Sequence, residues 1–339
     1  MDRSPQLHRH WPALAGTLPY LPLGAAPTPV RPLTGLGTRT PIWVKDESGY
    51  GDGGWGGNKV RKLEWLLPDA RRRGARTLLS VGGLGTNWGL AAALYAREQG
   101  LDVALALVDH PVDAHVRAQL ARLRASGATL HFPHTKNRLI LSLPWLLTRH
   151  TRGLRLPYVL PAGGSSPLGT LGYVECALEL AGQVADGLLP EPAWIVTPVG
   201  SGGTAAGLAL GLRLAGLRTR VLAVVVNDTL RLDGARLTAL AGKAERLLRA
   251  RGAALPPVRV GAEDLVTEYG WLGEGYAHPT DQGARALRRA AEAAALDLEP
   301  VYTAKAMAAL LALEERGRFA DTDGPVVFLN TFGPRSDGF

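Results

Sequence analysis

Three times along this chain a short apolar run breaks into a glycine-rich loop and passes on into a helical pattern. Residues 77–81 lead through Gly82-Gly83-Leu84-Gly85-Thr86-Asn87 into a helix over 88–99. Residues 158–160 lead through Pro161-Ala162-Gly163-Gly164-Ser165 to a helix over 172–185, and residues 194–199 lead through Gly200-Ser201-Gly202-Gly203-Thr204 into a helix of small residues. Further apolar runs at 41–44, 103–108, 129–132, 221–226 and 325–329, with helical patterns at 63–73 and 112–126, continue the alternation. Strands covered on both faces read as continuous apolar runs, so the pattern predicts α/β packing with parallel sheets. In such sheets the loops that follow the strands gather ligands. The chain shows no internal repeat and no low-complexity linker.

With 339 residues the chain can form two modest domains or one large α/β unit. A formal charge of +8 invites a nucleic-acid reading. Yet the excess is spread as single arginines along helices, and the one compact run, Arg71-Arg72-Arg73, has no aromatic residues interleaved with it. Solvated helix faces explain that pattern better than a nucleic-acid site. One cysteine, Cys176, excludes an intrachain disulfide framework and fits a reducing interior. Residues 1–11 lack the apolar stretch of a secretion signal, and no apolar run reaches the ~18 residues that span a bilayer. The expectation is a soluble, cytoplasmic protein that binds neither nucleic acid nor membrane.

Gly56-Gly57-Asn58-Lys59-Val60-Arg61-Lys62-Leu63-Glu64 is the stretch with the most chemical content. A glycine-rich approach (Gly51, Gly53, Gly54, Gly56, Gly57) lets the backbone take positive φ or pass close to a bound group, and it ends at a helix start. Lysine is scarce, occurring only at 45, 59, 62, 136, 243 and 305. A partly desolvated lysine can lose its proton and attack a carbonyl, which arginine cannot. The alternative reading of Lys59 is an exposed basic helix start.

Gly200–Thr204 has the form of a phosphate cradle, with backbone N–H groups at a helix N-terminus and small side chains that allow close approach. It is not a Walker A loop, since no lysine follows the glycines, and it lacks the G-x-G-x-x-G spacing of a dinucleotide site. Thr86 and Asn87 offer a hydroxyl, an amide and backbone N–H groups suited to a carboxylate or a phenolic oxygen. An ordinary helix N-cap explains them too.

Taken in order, these pieces resemble the 1-aminocyclopropane-1-carboxylate deaminase / D-cysteine desulfhydrase family of pyridoxal-phosphate enzymes. The resemblance is carried by 56–64, Val81-Gly82-Gly83 with Thr86-Asn87, 161–165 with Gly169 and Gly172-Tyr173-Val174-Glu175, 200–204, and Pro300-Val301-Tyr302-Thr303-Ala304-Lys305-Ala306-Met307. It implies the tryptophan-synthase-β-like fold (fold type II), with two parallel-sheet α/β domains and the site in the cleft between them. The small domain would be 61–165 and the large one 1–60 plus 166–339. A homodimer acting on a small amino-acid substrate is implied as well.

Carried over by position, Lys59 would be the Schiff-base lysine of pyridoxal 5'-phosphate, and Gly200, Ser201, Gly202, Gly203 and Thr204 would hold the phosphate. Asn87 would touch the ring's O3′, and Thr86 with neighbouring N–H groups would hold the substrate together with Asn87, Trp88 and Ser165. Tyr276 and Tyr302 would overhang it, or would be two core tyrosines. No metal is implied. Family members that open the cyclopropane ring have glutamate where Thr303 stands and leucine where Thr331 stands. A carboxylate ~4 Å from the pyridine nitrogen is worth about 4 kcal/mol at an effective dielectric near 20, which would raise the ring's pKa by roughly three units. Two threonines supply no such charge, so the resemblance implies β-elimination from a small amino acid, giving a 2-oxo acid and ammonia. The rivals are a β-replacement synthase of the same fold, the cyclopropane deaminase itself, and a catalytically silent ligand-binding member. Trp88 and Phe332 depart from the family pattern and, with Trp55, are expected to add apolar bulk around the substrate.

Overall fold

The structure, a computed structural model, describes residues 3–53 and 55–333. It opens with α1 (Gln6–His10), β1 (Val30–Pro32), β2 (Ile42–Asp46), the two-residue strand β3 (Gly56–Gly57) and α2 (Asn58–Arg72). Alternation then runs through β4 (Thr77–Gly83), α3 (Asn87–Glu98), β5 (Asp102–Val108), α4 (Ala114–Ala125), β6 (Thr129–His134), α5 (Lys136–Arg149) and β7 (Tyr158–Leu160). It continues with α6 (Pro167–Ala185), β8 (Trp194–Val199), α7 (Gly203–Leu214), β9 (Arg220–Val225), α8 (Gly234–Ala250) and β10 (Leu265–Glu268). The chain closes with α9 (Asp281–Ala294), α10 (Thr303–Glu315), β11 (Val326–Asn330) and β12 (Phe332–Gly333).

Two sheets result. One is four-stranded in the order β6-β5-β4-β7 and parallel throughout. The other is six-stranded in the order β1-β2-β11-β8-β9-β10 and parallel except for β1. All residues of β8 and β11 are buried, which is why these strands carry no polar alternation. The four-stranded sheet falls inside the expected 61–165 segment, and the six-stranded one draws strands from both ends of the chain. The helix carrying Lys59 begins ahead of the expected boundary, and α2 packs both on α3 and on α6.

Close helix packing depends on two glycines in particular. A Cβ on Gly172 of α6 would stand 2.2 Å from the Arg61 carbonyl of α2, and one on Gly207 of α7 would stand 2.4 Å from the Thr170 carbonyl. Under this contact lies a fully buried ion cluster. Arg61 pairs with Glu47 and Glu179, and Lys45 pairs with Glu179. Burying such charges is tolerable only because each is matched and hydrogen-bonded. The cluster ties α2 to the end of β2 and to α6, and so fixes the base from which Lys59 projects.

Strands β4, β5, β6, β7, β8, β9 and β11 match predicted apolar runs to within a few residues. The sequence reading named no element between 133 and 157, where α5 lies, nor α8 and α9. No helix among the described residues is long and apolar enough to cross a membrane.

Candidate active site

The C-terminal ends of both sheets converge on one cavity of about 960 Å³. Its wall takes Gly83 from the end of β4, His110 from beyond β5, Gly163 from beyond β7, Gly200 from beyond β8, Asn227 from beyond β9 and Thr331 from beyond β11. This is the crevice outside the carboxyl ends of parallel strands where ligands of open α/β sheets bind.

Lys59 is the second residue of α2 and lines the cavity, half-buried. Burial holds its ammonium down to about 8, against the opposing pull of the Glu299 carboxylate. An amine in that range is a competent nucleophile and base near neutral pH. Its neighbours are positioned by backbone pairing: β3 pairs antiparallel with β12, matching Phe332 to Gly57 and Gly333 to Gly56. The Asn58 amide also donates to the Thr204 hydroxyl at 3.4 Å, linking the lysine segment to the glycine loop before α7.

That loop turns through Gly202 at φ +93°, and Gly202, as the residue before α7, offers the helix no side-chain cap of its own. Gly203 N–H donates to the Ser165 hydroxyl, which also bonds Ser201. Ser165, expected beside the substrate, is therefore placed under the α7 N-terminus and not along the cavity wall. Beside it lies a residue the sequence reading left without a role. Lys62 is fully buried, donates to the Gly163 carbonyl at 2.9 Å, and reaches within 3.2 Å of where a Cβ on Gly203 would sit. Burial, with the nearby charge of Lys59, pushes its ammonium well below the ordinary value. Its three-residue offset from Lys59 was the available signal, since it sets both amines on one side of α2.

Thr86 does both things considered for it: it caps α3, accepting from Gly89 N–H at 3.1 Å, and it lines the cavity. Asn87 follows on the cavity wall. Trp88 turns inward, its indole N–H donating to the Ser80 hydroxyl at 2.9 Å and its ring set against Gly164. The hydroxyls of Tyr276 and Tyr302 bond each other over the cavity, and burial raises both phenols above the ordinary value. His110 meets the Tyr276 ring edge-on and accepts from Gly85 N–H at 3.1 Å. Thr303 and Thr331 both line the cavity. The Thr303 hydroxyl accepts from Glu299 N–H at 2.8 Å. Glu299 was missed: its carboxylate caps α10 through the N–H groups of Val301, Tyr302 and Thr303 and stands in the same cavity as Lys59.

An enzyme whose chemistry centres on a lysine and an anion-binding helix terminus is the class that this fold and site define. The sequence pattern of the family described as "Pyridoxal-phosphate dependent enzyme" matches residues 21–331, and the chain belongs to that family. It is 33% identical over 286 residues to a D-cysteine desulfhydrase of Yersinia enterocolitica, covering 82% of each chain. It is 34% identical over 325 residues to a D-cysteine desulfhydrase of Salmonella choleraesuis, covering 93% of this chain and 94% of the other. Among solved structures it resembles an ACC deaminase homologue with a TM-score of 0.79 and 28% identity, over 97% of this chain and 95% of that one.

The residues present fit pyridoxal phosphate. The buried Lys62 ammonium has, among the described residues, a carbonyl and no carboxylate as its hydrogen-bond partner. With the α7 N-terminus beside it, met by the neutral Ser165 hydroxyl, this corner lacks an anion that a phosphate would supply. The amine of Lys59 suits the aldehyde, and the Asn87 amide suits the phenolic oxygen.

Proposed function

We propose that the protein is a pyridoxal-phosphate lyase that eliminates a β-substituent from a small amino acid, with a sulfur leaving group as in cysteine, to give a 2-oxo acid and ammonia. The observation that carries this reading is the Lys59 amine, held to about 8 by burial and standing in one cavity with Thr86, Asn87 and the tyrosine pair. The relatives named D-cysteine desulfhydrase support the sulfur leaving group. When bound, the cofactor supplies the electron-withdrawing ring that makes an α-proton removable.

The chain's own residues supply the rest. Lys59 holds the cofactor, is released by the incoming amine, and then takes the α-proton at Nζ. Lys62, the backbone N–H groups of 200–204 and the Thr204 hydroxyl bind the phosphate. Thr86 keeps its hydroxyl proton while accepting from Gly89, so it can donate to a substrate carboxylate at the α3 N-terminus. Burial keeps Tyr276 and Tyr302 neutral, so the pair can donate a hydrogen bond to a departing thiolate. Trp55, Trp88 and Phe332 keep water out from the side of the small sheet. We read 61–165 as the small domain, and the assembly as a cytoplasmic homodimer. The buried, unpaired Cys176 and the exposed apolar side chains Ile140, Leu141, Trp145, Leu154 and Leu156 support that reading.

The test is a panel of amino acids, including both enantiomers of cysteine, a β-chlorinated alanine and 1-aminocyclopropane-1-carboxylate, scored for 2-oxo acid, ammonia and sulfide. Release of sulfide with matching 2-oxo acid is the expected result. Absence of turnover on every β-substituted substrate by protein that carries cofactor overturns the reading.

A further inference from the structure

Behind Asn87 lies a chain of side chains that ends on a charge. Arg122 of α4 donates through Nη1 to Oε1 of Gln119 at 3.0 Å. Gln119, one turn earlier on α4 and fully buried, donates through Nε2 to Oδ1 of Asn87. Arg122 in turn lies over the Trp55 ring at 5.6 Å, on the loop that leads to Gly56 and Lys59. Asn87 stands on the cavity wall, whereas neither Gln119 nor Arg122 does.

The order of donors along this chain is fixed by chemistry. A guanidinium has donors and no acceptor, so Gln119 must meet Arg122 with its oxygen. The amide nitrogen of Gln119 then has to face Asn87, and Asn87 has to answer with its own oxygen. What remains for the cavity is the Asn87 NH2 group. An isolated asparagine could present either end at almost equal cost, and an oxygen turned toward an anionic phenolic oxygen would repel it. One part-buried arginine contact, two steps back along the relay, removes that choice.

We propose that Gln119 and Arg122 are positioning residues for the cofactor: by fixing the direction of the Asn87 amide, they guarantee a hydrogen-bond donor to the phenolic oxygen of pyridoxal phosphate. This rests on the reading that Asn87 contacts that oxygen. The donor stabilises the ionised form of the oxygen, and with it the form of the lysine-bound cofactor that absorbs in the visible. The relay therefore sets the colour and the retention of the cofactor before any substrate arrives.

Gln119→Glu is the discriminating variant, because it keeps size and shape, still pairs with Arg122, and offers only acceptors. Asn87 must then turn its NH2 toward residue 119 and leave its oxygen facing the cavity. The holoenzyme is expected to lose visible absorbance in favour of the near-ultraviolet band. It should also release cofactor about ten- to a hundredfold more readily, the worth of one hydrogen bond to a charged group. The melting temperature of the protein stripped of cofactor checks that folding is intact. Arg122→Met, which frees Gln119 to present either end, is expected to give a mixture of the two bands. In an Asn87→Ala background no amide is left to turn, so Gln119→Glu should add no further spectral change. An unchanged spectrum and unchanged retention in Gln119→Glu, with Asn87→Ala shifting both, overturns the relay and leaves the reading of Asn87 standing. If Asn87→Ala shifts neither, the reading of Asn87 fails and takes the relay with it.

Discussion

Gly57 and Gly333 lie in such close backbone contact that neither tolerates a side chain. A Cβ on Gly333 would stand 2.3 Å from the Gly57 nitrogen, and one on Gly57 would stand 2.9 Å from the Gly333 nitrogen. Gly57 also holds φ at +89°, a conformation costly for any residue with a Cβ. The contact straps the residues before Lys59 to the end of the chain after β11, so lysine placement depends on residues almost the whole sequence away. Gly333→Ala is expected to strip cofactor from the protein on gel filtration, while Gly16→Ala, which meets nothing within 4 Å, should not. Equal cofactor content in both would show that the strap does not position Lys59.

Lys59→Ala removes both the attachment point and the base. Turnover should fall at least ~10²–10⁴-fold, the range for losing a general base. Borohydride reduction followed by peptide mapping should place the label on Lys59. A label on Lys45 or Lys62 would contradict the burial of those two amines, one ion-paired with Glu179 and the other bonded to Gly163. Because only the neutral amine attacks an aldehyde, attachment of added cofactor to stripped protein should speed up with pH and level off above about 8, where burial has set the Lys59 titration. A rate still climbing steeply toward the ordinary lysine value of 10.5 would mean that the amine is not desolvated.

The phosphate corner makes a separate claim. A Cβ on Gly203 would stand 2.7 Å from the Ser165 hydroxyl and 3.2 Å from the Lys62 amine, so Gly203→Val should weaken cofactor retention far more than Thr204→Ser, which keeps hydroxyl and backbone. Lys62→Met should weaken it too and raise the amount of free phosphate needed to compete. Equal retention in all three variants would reduce the loop to a structural turn.

How much of this was legible in the sequence follows from how local each feature is. The parallel sheets and three glycine loops were readable because apolar runs, turn glycines and helix starts are neighbours in the chain. The pairing of β3 with β12 was not, since two-residue strands leave no periodicity and their partners lie at opposite ends of the sequence. Helix α5 escaped because Pro144 interrupts its pattern and most of its apolar residues remain partly or wholly exposed, so no clean buried stripe marks it. Lys62 and Ser165 were visible as residues, yet only the packing of α2 and α7 against α6 shows that both serve the same helix terminus. Gln119 and Arg122 carried no signal, being ordinary polar residues of a helix that read as solvated. Glu299 drew no reading from the sequence, and its capping of α10 appears only in three dimensions.

Glu64 ties acidity to stability. It is buried, and its Oε1 accepts from Leu23 N–H and from the hydroxyls of Tyr20 and Tyr50. Burial raises its carboxyl from the ordinary 4.5 to about 7. A carboxyl that holds its proton more tightly when folded stabilises the fold fully below its unfolded value, and loses that contribution as pH rises through its folded value. The protein should therefore lose a few kcal/mol of stability between 4.5 and about 7 from this residue. Glu64→Gln keeps the oxygen that accepts all three bonds and should flatten that part of the denaturation profile. An unaltered slope would show that Glu64 stays ionised in the fold.

The last prediction concerns the choice of reaction and turns on Thr303. Its hydroxyl accepts from Glu299 N–H at 2.8 Å and lies 3.3 Å from the Glu299 carbonyl, to which it can donate, with the side chain fully buried at the cavity wall. The Glu299 carboxylate accepts from the N–H groups of Val301, Tyr302 and Thr303, and burial raises its pKa. Three of its acceptor positions are thus taken by the start of α10, which leaves it poorly placed to hold a proton on a pyridine nitrogen. A pyridine nitrogen set at Thr303 would meet a hydroxyl, and electron withdrawal would be limited. β-Elimination tolerates this, because the leaving group at Cβ carries electrons away. Opening of 1-aminocyclopropane-1-carboxylate has no such outlet and should be slow beside it. Thr303→Glu supplies a carboxylate worth several kcal/mol to a protonated ring, so elimination should slow and the spectrum of the substrate-loaded enzyme should shift to longer wavelength. Comparable rates on the cyclopropane substrate and on cysteine by the unaltered enzyme would refute the argument. So would a Thr303→Glu variant with both rate and spectrum unmoved, since residue 303 would then not reach the ring.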